Sequence, residues 1–445
     1  MFKSSKILAV VSLVALSGVP RNAQGGHALL DVSMAHPTLL AGAPQTTYLK
    51  VGLTGFKIGP TQTRPPVNVA LVLDKSGSMS GSKLAQAKDA AIRALERLDS
   101  NDIVSVIAYD STVRVVVPAT KLTDKDAVRR AIHGIQAGGN TALFAGVSKG
   151  AAEVRKFLDR NRVNRIILLS DGLANVGPSA PAALGELGAS LMKEGVAVTT
   201  LGLGLNYNED LMVELASRSD GNHVFVEDAT QLAAIFNHEF SDVLSVVAQE
   251  ITITIRCAPG IRPVRLLGLD GEINGQEVVV RLNQLYSEQE KYALLEIAVP
   301  ESIAMQVRPV AEVDVAYINM ETRMADRLSR AISVQFDESA VVVEERTDAK
   351  VLTECVLQIA NDRNMQAVAL RDQGQKERAK LLLLSNVAYL DANAKKLKSE
   401  KLQQRAYDNQ EQSENLDEKD WARSRKGMRS KQAEDSRQQK KQEPE

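Results

Sequence analysis

The sequence predicts an α/β protein: a doubly wound, mostly parallel, Rossmann-like sheet inserted in or flanked by an antiparallel β-sandwich, with a C-terminal helical hairpin and a disordered tail. Three observations carry this reading. From Val67 to about residue 245, short runs of Val, Leu and Ile alternate with segments of helical period, the pattern of βαβ units. On either side, runs such as Thr46–Leu53 and Ile251–Ile255 alternate apolar with polar residues, as half-buried antiparallel strands do. From about Ser399 onward Gln, Glu, Lys, Arg, Asp and Ser dominate and large apolar residues are scarce, so the segment has little with which to offset its ordering entropy.

The 445 residues leave room for two or three domains, and 44% hydrophobic residues suffice for a sizeable core. Lys plus Arg number 54 against 55 Asp plus Glu, a formal net charge of -1. A balance this close excludes an overall field that would favour nucleic acid or an anionic membrane. Partner choice must come from a local site.

Residues 1–25 place Lys3 and Lys6 before the apolar run Ile7–Leu16, then Pro20, Ala23 and Gly25. That order is the order of a secretory signal peptide, and the run is too short to span a bilayer. It predicts export to a periplasm, a cell surface or the medium. No Cys follows the run, which argues against a lipid anchor, and no later segment reads as a membrane span.

Residues 26–64 hold two amphipathic strands, too few for a domain, so their partners are expected downstream. Residues 65–247 form the α/β unit. Val67–Leu73 is a buried strand bounded by Pro65-Pro66 and by Asp74, and Ser82–Leu98 is a helix with Leu84, Ala87, Ala91, Ala94, Leu95 and Leu98 on one face. Ile103–Tyr109 and Val113–Val117 are close enough for a hairpin that adds an antiparallel edge. Helices follow at about 123–134 and 142–157, a strand at Ile166–Leu169, a helix near 180–193 and a strand at Val196–Leu201. The unit closes with a helix near 208–217, a short strand at His223–Val226 and a helix from about 229 to 245.

Residues 248–345 read as the antiparallel sandwich, with turn signals at Pro259-Gly260 and Asp270-Gly271. Residues 346–398 read as a helical hairpin broken at Gln373-Gly374, and 399–445 as the disordered, mixed-charge tail. Cys257 and Cys355 are the two cysteines. An exported location permits a disulfide without requiring one, so a bridge and two buried free thiols both fit.

The stretch that carries chemistry is Asp74-Lys75-Ser76-Gly77-Ser78-Met79, directly after the first parallel strand. A carboxylate and two hydroxyls at alternate positions of a tight loop bring hard oxygens to one spot, which suits a small divalent cation. Asp-x-Ser-x-Ser alone is weak, because the same residues fill ordinary turns. Two further segments follow in order: Thr141 in Gly138-Gly139-Asn140-Thr141-Ala142, and Asp171 in Leu168-Leu169-Ser170-Asp171-Gly172.

Together these pieces resemble the metal-ion-dependent adhesion site of von Willebrand factor A-type (VWA) domains, over roughly residues 65–247. The resemblance implies a strand order of 3-2-1-4-5-6, with the strands ending at Asp74 and Asp171 as neighbours at the switch point where open α/β sheets bind ligands. It further implies that Asp74, Ser76, Ser78 and Thr141 hold a metal directly or through water and that Asp171 acts through water. Few protein oxygens leave positions for water and favour Mg²⁺, with Mn²⁺ or Ca²⁺ possible. Two carboxylates under-neutralise the ion, so the partner implied is a protein presenting Asp or Glu. As a whole the chain is similar to bacterial exported VWA proteins and, more loosely, to the heavy chains of inter-alpha-trypsin inhibitor.

The function so predicted is metal-dependent protein binding or adhesion at the cell envelope, without catalysis. The alternatives are an assembly scaffold whose helical end and tail recruit partners, and a hydrolase using the metal to activate water. His27, His36, His133, His223 and His238 show neither metal-ligand spacing nor pairing with a nucleophile, and read as surface or helix-end residues. Gly202-Leu203-Gly204 is too short a fragment of a dinucleotide fingerprint and reads as close backbone approach.

Overall fold

A computed structural model describes residues 26–59 and 64–441. The expected signal peptide, residues 1–25, lies outside them. In chain order the elements begin with β1 (Leu29–Met34), β2 (Thr38–Leu40) and β3 (Gln45–Thr54). The α/β unit runs β4 (Val67–Asp74), α1 (Ser82–Glu96), β5 (Ile103–Tyr109), β6 (Val113–Lys121), α2 (Lys125–His133), α3 (Leu143–Arg155), β7 (Val163–Ser170), α4 (Pro181–Lys193), β8 (Val196–Leu203), α5 (Glu209–Arg218), β9 (His223–Val226) and α6 (Leu232–Leu244). Then come β10 (Val246–Cys257), β11 (Arg262–Leu267), β12 (Glu272–Asn274), β13 (Glu277–Tyr286), β14 (Gln289–Val299), β15 (Val307–Asn319) and β16 (Ala325–Asp337). The chain ends with α7 (Ala340–Glu345), α8 (Ala349–Asp372), α9 (Lys376–Leu397), α10 (Glu400–Glu414), α11 (Glu418–Ser436) and β17 (Gln439–Lys441).

The central sheet has the order β6-β5-β4-β7-β8-β9, parallel except for the edge strand β6. Its middle strand is apolar on both faces because both are covered. Val67, Val69, Leu71 and Leu73 pack with residues of α1, α2 and α6, among them Leu84, Ile132 and Phe240. Ala70 and Val72 point the other way, into a second cluster that includes Leu143, Leu184 and Leu211 of α3, α4 and α5. Burial on both sides is what turns a parallel strand into a continuous apolar run.

The flanking strands form two antiparallel sheets, β1-β3-β14-β11 and β12-β13-β10-β15-β16-β2, the last strand joining in parallel. β3 pairs with β14 over its whole length, Gln45 opposite Val299 to Thr54 opposite Glu290. Leu49, Val51 and Leu53 share one core with Ile251, Ile253, Ile255, Val313 and Val315. Strands from before and after the α/β unit therefore belong to one layered structure, and the unit is inserted between them. Buried polar contacts join the two parts: the Arg165 guanidinium donates to Gln284 Oε1 at 2.7 Å and to the Tyr286 hydroxyl at 2.6 Å. Lys291 Nζ pairs with Asp220 at 2.7 Å.

α8 and α9 form the expected hairpin, turning at Gly374 with φ of +77°. The tail is a correction. Where the sequence predicts disorder from 399 onward, the structure has α10, α11 and a strand that pairs with β14. About half of the buried residues there are polar, so a count of large apolar residues misses much of the burial. Asn364 donates to Asn409 Oδ1 and Gln412 Oε1, Gln432 donates to Asn364 Oδ1, and Asn386 donates to Asn409 Oδ1. Leu402, Ala406, Leu416, Met428 and Ala433 supply the apolar burial of the segment. Buried amides are tolerated because each finds a partner on another helix.

Both cysteines are free and buried. Burial pushes the Cys257 thiol up to about 11 and raises that of Cys355 as well. Neither is poised to react as a thiolate.

Candidate metal centre

β4 ends at Asp74 and its parallel neighbour β7 ends at Ser170, with Leu73 opposite Leu169. Two carboxylates, Asp74 and Asp171, thus leave adjacent strands at the same sheet end. Backbone bonds lock the loops around them. Gly77 N–H donates to Gly139 O at 2.9 Å and Gly138 N–H to Lys75 O at 2.8 Å, tying the loop after β4 to the segment before Thr141. Thr141 N–H donates to Asn175 Oδ1 at 2.8 Å, and Asn175 N–H returns to Thr141 O at 3.2 Å, tying that segment to the loop after β7.

The structure brings all five sequence-predicted residues together. Asp74 is fully buried; its Oδ1 accepts from Ser76 N–H at 2.7 Å and its Oδ2 from the Ser170 hydroxyl at 2.6 Å. Ser76 Oγ and Ser78 Oγ lie 3.1 Å apart, and the Ser78 hydroxyl donates to Asp171 Oδ1 at 2.6 Å. Thr141 is located through Gly172: a Cβ on that glycine would fall 2.8 Å from Thr141 Oγ1, 3.5 Å from Ser78 Oγ and 3.7 Å from Ser76 Oγ. The three hydroxyls therefore converge on space that exists because residue 172 has no side chain.

Burial raises the Asp74 carboxyl above its ordinary value; bonds from Ser170 and Ser76 partly offset this, and the Asp171 charge adds to it. A buried carboxylate facing another carboxylate is a place where a cation is stabilised. Among the described residues no group of three or more His, Cys, Asp or Glu side chains could hold a metal. The donors here are two acids and three hydroxyls, all oxygen, which suits a hard cation that keeps its waters. Asp74, Ser76, Thr141 and Asp171 are buried while Ser78 is exposed, so the cluster opens to solvent at that residue.

Sequence reasoning assigned no role to Ser170, Gly172, Asn175 and Lys83. Ser170 and Gly172 flank Asp171 in the chain, and only the strand register shows that Ser170 faces Asp74. Lys83 Nζ sits 2.5 Å from Asp171 Oδ2. Lys75, beside Asp74 in sequence, pairs instead with Asp110. The reading of every histidine as a surface or helix-end residue needs correction at His223, which is buried between the Thr200 hydroxyl at 2.9 Å and the Tyr207 hydroxyl at 3.4 Å. Burial, with the Lys426 charge, lowers it to about 3. Gly202 and Leu203 end β8, and the close approach read at Gly202-Leu203-Gly204 is by a side chain and not by backbone: the Tyr207 ring lies 2.1 Å from where a Gly202 Cβ would be.

Residues 68–238 match the family model of the von Willebrand factor type A domain. The chain carries a VWA domain, a module that commonly mediates protein interactions, within a larger mixed α/β structure. As a fold it is similar to a solved von Willebrand factor type A protein from Catenulispora acidiphila, with a TM-score of 0.70 over 94% of this chain and 98% of that one, at 15% identity. In sequence it is 27% identical over 348 residues to an uncharacterized protein of Synechocystis sp., covering 76% of this chain and 81% of that protein. It is 31% identical over 165 residues to human inter-alpha-trypsin inhibitor heavy chain H3, covering 35% of this chain and 18% of the heavy chain.

Proposed function

We propose that Asp74, Ser76, Ser78, Thr141 and Asp171 hold one divalent cation, Mg²⁺ ahead of Mn²⁺ or Ca²⁺, and that the loaded site grips an Asp or Glu carboxylate of a partner protein. The observation that carries the reading is the convergence of three hydroxyls over Gly172 beside two buried strand-end carboxylates. When bound, the cation supplies Lewis acidity toward an incoming anionic oxygen. The chain's own residues do the rest: the carboxylates hold charge, the hydroxyls fix position, and the opening at Ser78 admits the partner. Leu173, 59% exposed and two residues past Asp171, offers an apolar contact at the rim.

We read the chain as a binding protein rather than a hydrolase. Both oxygens of Asp74 and both of Asp171 are engaged by protein donors, which leaves neither poised as a general base. His27, His36 and His223 have Asp326, Thr47, Thr200 and Tyr207 as partners, none of them in the site. The order of charged, apolar and small residues over 1–25 supports a role outside the cytoplasm, and no helix among the described residues is long and apolar enough to cross a membrane.

Thermal unfolding with and without Mg²⁺ tests the metal site. Mg²⁺ at about a hundredfold over its dissociation constant stabilises the native chain by about 2.7 kcal/mol, and Asp74→Ala abolishes that increment while the chain still folds. An unchanged Mg²⁺ response in Asp74→Ala refutes the assignment. Capture of a partner from envelope extract is expected to fail in EDTA and return with Mg²⁺; full capture in EDTA would favour a scaffold role instead.

A further inference from the structure

Holding a cation does not require a second positive charge, yet Lys83 is aimed into the site. Its ammonium lies 2.5 Å from Asp171 Oδ2 while the Ser78 hydroxyl occupies Oδ1. It stands at the second residue of α1, inside the first turn, where the helix dipole disfavours a cation. Asp171 is fully buried and Lys83 is one-third exposed, with 33% of its side chain accessible, so the pair is a poor device for stability. A residue placed against local preference, with little stability gained, marks a functional position. Nearby, Lys75 and Asp110 neutralise one another, which leaves Asp74, Asp171 and Lys83 as the charges that set the balance of the site.

We propose that Lys83 tunes the net charge of the metal centre, weakening its hold on the divalent ion and strengthening its grip on an anionic partner. The inference rests on the metal reading above. With a dication present, two carboxylates and one ammonium leave one net positive charge, which a single partner carboxylate neutralises. Without Lys83 the formal charges of the loaded site sum to zero, and the pull on a partner carboxylate is weaker by one unit charge. Lys83 also engages one oxygen of Asp171, so that acid neutralises the ion less and the ion stays more electrophilic. The two effects have opposite signs on metal and on carboxylate. A residue that only propped Asp171 in place would lower both affinities together.

The test uses the full chain, with Mn²⁺ alone as the metal probe and acetate as the carboxylate probe. Calorimetry and Mn²⁺ spin resonance give the metal affinity, and water-proton relaxation of the loaded protein follows acetate. Lys83→Gln is expected to bind Mn²⁺ about tenfold more tightly and, once loaded, to bind acetate about tenfold more weakly, whereas Lys83→Arg stays within about threefold of the native chain on both. Equal or weaker Mn²⁺ binding by Lys83→Gln, with normal uptake by the native chain, overturns the inference and leaves the metal site standing. A native chain that takes up no Mn²⁺ overturns the metal reading and this inference with it.

Discussion

Arg425 of α11 is the residue whose removal should most directly expose how the C-terminal segment is held. Its guanidinium pairs with Glu209, with Asp210 at 2.6 Å and with Asp372 at 2.8 Å, joining α11 both to α5 of the VWA domain and to α8. Removing one partner of a buried ion pair costs about 3–5 kcal/mol. Part of that is recovered here. Glu209 keeps Lys426, Asp210 keeps Arg429, and Asp372 is exposed enough to rehydrate, so Arg425→Ala should destabilise the docked helix by about 2–3 kcal/mol. Hydrogen exchange reads this locally: the protected amides of α11 should exchange about 30- to 150-fold faster, with those of β4 and β7 unchanged. The docking should also depend on pH. Burial alone would raise the Asp210 carboxyl, but Arg425 and Arg429 prevail and hold it below its ordinary value. The stability it contributes is present above the unfolded value of about 3.9 and is lost as pH falls through the lower folded value. Exchange in α11 that is the same in Arg425→Ala as in the native chain would refute the clasp.

Gly172→Ala places a methyl 2.8 Å from Thr141 Oγ1 and should weaken Mg²⁺ binding at least tenfold while the metal-free melting temperature moves by only a few degrees, as calorimetry of both states would show. His223 is buried with its basicity lowered to about 3, so the unfolded chain takes up a proton that the folded one refuses. Stability should be full above about pH 6.5 and decline below it by up to about 1.4 kcal/mol per pH unit, and urea titrations of His223→Gln should lack that component.

The sequence and the structure agree where burial is apolar and diverge where it is polar. β4 and β7 were legible because Val69–Leu73 and Ile166–Leu169 are continuous apolar runs covered on both faces, with the buried polar residues Asn68, Asn164 and Arg165 confined to the strand starts, and the turn chemistry after each pointed to the site. Thr141 was legible only through resemblance, since nothing in Gly138-Gly139-Asn140-Thr141 states that it is tied to the loop after β7. The pairing of β3 with β14 follows from the need of amphipathic strands for partners, but its register does not. α10 and α11 were read as disorder because Asn364, Asn386, Asn409 and Gln432 bury amides against amides, and composition cannot show that their partners exist. Lys83 escaped notice because helical period places it on the first turn of α1, while only the end of β7 brings Asp171 to it.

On the proposed reading, five oxygen-bearing side chains hold one divalent ion between them. Anomalous diffraction at the manganese edge, from crystals of the full chain grown with Mn²⁺, tests it most directly. One strong peak per chain is expected, lying among the hydroxyls of Ser76, Ser78 and Thr141 and beside the carboxylates of Asp74 and Asp171. A cluster that stays empty under saturating Mn²⁺, or a peak held by other residues, would contradict it.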